Sequence, residues 1–223
     1  MIPRVLEPEA MDGPEEAACY DAMDHRAVNE AFVADFLVVH GPCRGGEILD
    51  VGTGTARIPI ALALADPRAR VVGFDLAPAM LDRAAANVAA AGLSERIRFV
   101  PGDAKQPTEL GDAFFEAVIS NTIVHHVPDP APALAAMVAR VAPGGTLMVR
   151  DLYRPDDQAT LARLVEEHAG GESPEARELF RASLHAGLTV AEAAGLCVAL
   201  GLPADAVAMT SDRHWTLVWK RPT

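Results

Sequence analysis

Cysteine is scarce in this 223-residue chain: Cys19, Cys43 and Cys197 are its only three, widely separated, with no C-x-x-C pair and no paired histidine spacing. That pattern excludes a disulfide framework and a structural zinc site, and it points to a reducing compartment. Long apolar runs are missing too; no stretch reaches the roughly eighteen residues of a membrane-spanning helix. The start holds no basic segment followed by an apolar one. After Met1, Ile2 and Pro3 come Glu7, Glu9, Asp12, Glu15 and Glu16, so no signal peptide is expected and the cytoplasm is the expected location. Positive charge is in deficit, with 19 Lys+Arg against 31 Asp+Glu and a net charge of −12. A broad nucleic-acid or anionic-membrane footprint is therefore not expected.

What is present is the composition of an ordinary globular protein, 50% hydrophobic and 22% charged, which excludes disorder. An α/β domain of this length buries enough apolar surface to need no staple. Val28, Phe32, Phe36 and Val39 recur at helical steps between Arg26 and Val39, behind a loose acidic leader over residues 1–18. An alternation follows. Strands are predicted at Ile48–Val51, Val71–Phe74, Ile97–Val100, Ala117–Ser120 and Thr146–Val149. Helices are predicted at Ile58–Ala65, from Pro78 to Gly92, and at Ala131–Val141, which Pro143-Gly144-Gly145 ends. Such alternation implies right-handed βαβ units and a parallel sheet covered on both faces.

Residues 155–186 leave that rhythm. Helical runs at Thr160–His168 and Glu175–Ala186 flank Gly170-Gly171, and a lid over the strand ends is expected there. Thr189 caps a helix over Val190–Leu200, and Ala206–Met209 with Trp215–Trp219 form a terminal hairpin. The expected organisation is a single domain over 1–223, with a cover segment and helix (1–40), a cofactor-binding core (41–153), a lid-like helical insertion (154–188), and a helix with a terminal hairpin (189–223).

The sharpest chemical signal is Asp50-Val51-Gly52-Thr53-Gly54-Thr55-Ala56-Arg57, between a buried strand and a helix. Glycines here let a ligand approach backbone that a Cβ would block. A dinucleotide fingerprint would place its third glycine or alanine where Arg57 stands, and Asp50 would repel a pyrophosphate. The turn favours a nucleoside ligand without phosphates. Asp75, closing the second strand, can accept both ribose hydroxyls or simply cap the helix at Pro78. After the third strand, the Asp103 carboxylate and the backbone at Ala104 can bond an adenine edge, or form an ordinary turn.

In order and spacing, ILDVGTGTARIPIALA (48–63), VVGFDLAPAML (71–81), IRFVPGDA (97–104), FEAVISNTIVHHVPDP (115–130) and VAPGGTLMVRD (141–151) resemble the class I S-adenosylmethionine-dependent methyltransferases. The resemblance spans roughly Cys19 to Gly145. It implies a doubly wound, mostly parallel seven-stranded sheet with the last strand antiparallel and helices on both faces. It also implies that Gly52, Thr53 and Gly54 hold the methionine moiety near Asp50, that Asp75 holds the ribose, and that Asp103 and Ala104 hold the adenine against Leu76 and Met80. Asn121 would line the methyl-donor site, and Tyr20, Met23 and His25 would fold over the cofactor. The chain departs from the family at Ala56, where a third glycine is common.

Catalytic candidates are His125, Asp151 and Tyr153, the residue types able to deprotonate an oxygen or nitrogen nucleophile. Neighbouring histidines cannot face the same way on a helix or strand, so at most one of His125 and His126 is expected to reach the site. Neither has the partner spacing of a helical metal site, and no metal is expected. Arg150, Arg154 and His185 are further candidates or plain solvated side chains. The expected activity is methyl transfer from S-adenosylmethionine to a small-molecule acceptor by in-line displacement, leaving S-adenosylhomocysteine. A non-catalytic module binding the same cofactor is the alternative. A nicotinamide-dependent oxidoreductase is a further alternative that Arg57 and Asp50 disfavour.

Overall fold

The computed structural model describes residues 2–7, 13–23 and 25–223. In chain order its helices are α1 (Pro14–Ala22), α2 (Arg26–His40), α3 (Arg57–Ala65), α4 (Pro78–Ala90), α5 (Ala131–Arg140), α6 (Gln158–Ala169), α7 (Pro174–Ala186) and α8 (Val190–Ala199). The strands are β1 (Glu47–Val51), β2 (Arg70–Asp75), β3 (Ile97–Pro101), β4 (Phe115–Asn121), β5 (Val141–Leu152), β6 (Val207–Met209) and β7 (His214–Lys220). They form a seven-stranded sheet in the order β3-β2-β1-β4-β5-β7-β6, the mostly parallel α/β sheet that the alternation implies. β1 lies parallel to β2 and β4, β2 parallel to β3, and β6 antiparallel to β7.

Contacts divide the chain into two compact units. The first comprises Ala10–Ser120, Pro132–Met148 and Val218–Thr223. Its central strands are continuous apolar runs because helices cover both faces of a parallel sheet. Phe32 and Phe36 of α2, Leu62 of α3 and Ala84 and Val88 of α4 close over Ile48, Val71 and Ile119. Cys43 belongs to this core and Cys197 is buried as well, whereas Cys19 is exposed.

The second unit comprises Met1–Glu9, Asn121–Ala131 and Val149–Leu217. Leu161, Leu164 and Val165 of α6 and Leu184 of α7 bury against Ile2 and Leu152. Each of its three helices starts on a side-chain cap: Asp157 accepts from the Thr160 amide, Ser173 from Ala176, and Thr189 forms a reciprocal capping box with Glu192. Trp215 is buried, and its indole N–H donates to the Leu152 carbonyl at 3.1 Å.

Two expectations need correction. Of the leader expected over residues 1–18, Met1 and residues 8–12 lie outside the described residues, but Pro14 onward is helix. β5 begins at Val141, not Thr146, because the chain end pairs with the presumed break: Gly144 N donates to Arg221 O and Arg221 N to Gly145 O, both at 2.9 Å. Among the described residues no helix is long and apolar enough to cross a membrane.

Candidate functional site

The glycine turn joins β1 to α3 in the first unit. Gly52 and Gly54 hold φ of 74° and 52°, conformations that glycine adopts without penalty. Ala56 holds φ of 63° at the N-cap of α3, so the position that departs from the family keeps a left-handed backbone despite its Cβ, at a cost of roughly 1–2 kcal/mol. The turn is fixed from the neighbouring strand. Gly52 N and Thr53 N both donate to Phe74 O, at 2.8 and 3.2 Å, and Gly54 N donates to the Asp75 carboxylate at 2.7 Å. The other Asp75 oxygen accepts from Ala77 N at 2.9 Å. The Leu76 amide also bonds this carboxylate, so three backbone N–H groups hold it.

Asp50 is 2% exposed and accepts the Thr53 hydroxyl at 2.7 Å. Burial raises its pKa to about 7, with the Asp75 charge adding to the shift and the Thr53 bond opposing it. Burial also raises Asp75, against the amides it accepts. Tyr20 of α1 stands beside both: burial raises its phenol, and the Asp75 and Asp50 charges push the same way. A Cβ built on Gly54 would meet the Tyr20 ring at 3.9 Å, so the turn opens toward that ring.

Helix α1 is tied down by a carboxylate. Asp21 accepts from Arg57 Nε at 2.9 Å, Arg83 Nε at 2.7 Å and Asn87 Nδ2 at 2.9 Å. Burial opposes its charge, but these donors hold its pKa below the ordinary value. Arg57, the residue that breaks the dinucleotide pattern, therefore anchors the α1 segment beside the turn. Met80 is buried with Ala17, Ala77 and the Tyr20 ring, whereas Leu76 and Met23 are exposed. The His25 ring lies 5.4 Å from that of Tyr20. After β3, Asp103 accepts from Lys105 N at 2.8 Å and pairs with its ammonium at 3.3 Å, leaving Ala104 half-buried beside it. Gly102 is obligatory there, since a Cβ would fall 2.5 Å from the Phe74 ring.

The second unit holds a buried charged cluster. His125 Nδ1 faces Asp151 Oδ1 at 2.6 Å, and its Nε2 faces Glu7 Oε1 at 3.2 Å. Asp151 also accepts from Val124 N at 2.5 Å and Leu152 N at 2.6 Å. Burial works against charge on the ring, but Asp151 and Glu7 outweigh it and push His125 up to about 9. His126 turns Nδ1 to the same Glu7 oxygen at 3.1 Å. The two rings nonetheless face one oxygen: residues 124–126 form a single 3₁₀ turn, tighter than the α-helix or strand considered from the sequence, and the rings lie 4.1 Å apart.

Of the other candidates, Asn121 donates to Thr122 Oγ1 at 3.3 Å and keeps a buried Oδ1 without a partner. Tyr153 is half-buried, its phenol raised by burial and by the nearby Asp156. Arg150 and Arg154 are buried rather than solvated: Arg150 donates to Thr216 Oγ1, and Arg154 to Gly187 O and Glu192. His185 keeps a buried Nδ1 without a partner. Sequence reasoning missed Glu7, Asp21, Arg83 and Asn87, whose roles come from partners far along the chain.

Residues 48–145 match the family described as methyltransferase domain. The trans-aconitate 2-methyltransferase of Streptomyces coelicolor is 32% identical over 109 residues, 49% of this chain and 35% of that protein. The demethylmenaquinone methyltransferase of Deinococcus radiodurans is 36% identical over 130 residues, 58% of this chain and 51% of that protein. The chain thus spans about half, or less, of the curated relatives it matches. Among solved structures, the plantazolicin methyltransferase BpumL in complex with SAH superposes with a TM-score of 0.69 at 15% identity, covering 92% of this chain and 88% of that one. A SAM-dependent methyltransferase from Aquifex aeolicus gives 0.66 at 15% identity, covering 93% and 98%. At that identity the likeness carries the fold alone. The family match thus covers residues 48–145, a methyltransferase domain within the chain.

Proposed function

We propose that this protein is an S-adenosylmethionine-dependent methyltransferase acting on a small-molecule acceptor, with residues 1–223 working as one methyltransferase-like domain. One observation carries the proposal: Asp75, the carboxylate that would take the ribose, grips the Gly54 amide at 2.7 Å and so fixes the glycine turn. The residues fit such a cofactor. Gly52, Thr53 and Gly54 offer backbone to the methionine moiety, with Asp50 beside them. Asp103 and Ala104 stand ready for the adenine, with Met80 and Leu76 on α4 and its approach. Tyr20, whose ring faces Gly54, would fold over the cofactor with Met23 and His25, and Asn121 at the end of β4 keeps an unpartnered acceptor.

When bound, the cofactor supplies an electrophilic methyl group on a sulfonium. The protein's task is then to hold the nucleophile in line and exclude water. His125 and Asp151 are paired to each other, so the imidazole holds its proton and orients groups around it instead of standing free to deprotonate. Tyr153 is the remaining candidate, its half-buried phenol hydrogen-bonded to Asp156. A small acceptor accords with the net charge of −12, which repels polyanions, and with the substrates in the names of the curated relatives above. A cytoplasmic location belongs to the same proposal.

Calorimetry with S-adenosylmethionine and S-adenosylhomocysteine, followed by a small-molecule acceptor screen for released S-adenosylhomocysteine, tests it. Binding with turnover on a small acceptor supports the proposal. Binding with no turnover on any acceptor favours a non-catalytic module, and no binding overturns the assignment.

A further inference from the structure

Glu7, His125 and His126 bring three ligand-type atoms to one point. The Glu7 side chain is 10% exposed, and its Oε1 lies 3.2 Å from His125 Nε2 and 3.1 Å from His126 Nδ1. That buried oxygen is shared between the two rings and has no other partner among the described residues. Glu7 Oε2 is occupied separately by the Ser183 hydroxyl at 3.2 Å, so Oε1 is turned deliberately toward the two imidazoles. One atom from each of the three residues lies within 4.8 Å of the others.

Those separations are those of ligands around a common point. Nitrogen and oxygen atoms about 2.0–2.1 Å from a tetrahedral ion sit about 3.3 Å from one another. The ligand types, two imidazoles and one carboxylate, suit a borderline divalent ion. Asp151 adds the outer partner such sites use: it holds His125 Nδ1 at 2.6 Å, so an arriving ion displaces the Nε2 proton, which leaves to solvent, and takes that nitrogen's lone pair. Asp151 is itself held by the amides of Val124 and Leu152, so the ring orientation is set before any ion arrives.

We propose that Glu7, His125 and His126 form a three-ligand site for a divalent transition ion of the zinc class, with Asp151 as its positioning residue. An ion bound there ties the N-terminal segment to the 124–126 turn and leaves one coordination position open. Metal binding is read directly, so its test does not depend on methyl transfer.

The test is titration of metal-free protein with Zn²⁺ by calorimetry, and with Co²⁺ as the coloured probe, in wild type, Glu7→Gln, His126→Ala and Asp212→Asn. The last variant disrupts the exposed grouping of Glu167, His168 and Asp212 and serves as control. One equivalent is expected to bind wild type and Asp212→Asn alike, with affinity at least tenfold weaker in Glu7→Gln and His126→Ala. Zn²⁺ should raise the melting temperature of wild type but not of Glu7→Gln, whose metal-free melt confirms that it folds. No binding, binding unchanged by Glu7→Gln, or binding lost only in Asp212→Asn overturns the proposal. If His126→Ala does not fold, the near-isosteric Glu7→Gln decides alone.

Discussion

The Gly54 amide and the Asp75 carboxylate are joined at 2.7 Å, although they belong to different strand ends. The bond makes the glycine turn and the candidate ribose acceptor one rigid piece. Asp75→Ala should therefore weaken binding of S-adenosylhomocysteine at least tenfold, about 1.4 kcal/mol or more. Calorimetry checks it, and Asp75→Asn, which retains an oxygen for the Gly54 amide, should lose less. Unchanged affinity in Asp75→Ala removes Asp75 from the cofactor site.

Burial that raises Asp50 to about 7 makes stability depend on pH in a definite direction. Between the ordinary carboxylate pKa and 7 the folded state keeps a proton that the unfolded state has lost, so this group's contribution falls as pH rises. His214, lowered to about 4 by burial and by Arg213 and Arg150, acts oppositely over much of that window. The comparison must therefore be between proteins at each pH. Asp50→Asn should gain on wild type from pH 4 to pH 8, by a few kcal/mol on the order of the three-unit shift. Urea denaturation of both proteins at each pH measures it, and parallel stability profiles would refute it.

Asp21 collects Arg57, Arg83 and Asn87 at 2.7–2.9 Å. Asp21→Asn should loosen α1 locally, with amides of residues 14–22 exchanging about tenfold faster while the global melt moves little. Hydrogen exchange resolved by segment reads both quantities. A large drop in the global melt with no selective change in α1 would contradict this.

Asp151 is 1% exposed and serves two amides and one imidazole. Asp151→Ala should cost about 3–5 kcal/mol, because it leaves buried donors and a buried imidazole without their acceptor. Chemical denaturation of the two proteins gives the difference directly; a loss under 1 kcal/mol, roughly the worth of a surface pair, would be inconsistent with it.

Most of the sheet is legible in the sequence because parallel strands covered on both faces read as unbroken apolar runs, Ile48 to Val51 and Val71 to Phe74 among them. The capping box at Thr189 is legible for a similar reason: it is local chemistry at fixed spacing. Helix α1 is not, since Pro14–Ala22 carries no apolar stripe and is held by Asp21 to residues that only the fold brings near. The early start of β5 is hidden because Gly144 and Gly145 pair with Arg221 at the chain end. In the candidate site, Asp75 and the glycines declare themselves by motif. Glu7 carries no signal at all, since nothing local distinguishes it from the other acids of the leader. His125 is visible as a residue but not as a pair with Asp151, and that pairing changes what its ring can do.

The uneven exposure of the three cysteines has a practical side. Cys43 is buried, its thiol pushed up to about 12 by burial and by Asp66, and burial also raises Cys197. Cys19 is exposed and adjoins Tyr20 on α1. A maleimide dye will therefore address the native protein at one place, the helix beside the glycine turn. The wild-type chain already carries a fluorescent reporter position for ligand arrival, with no engineered cysteine.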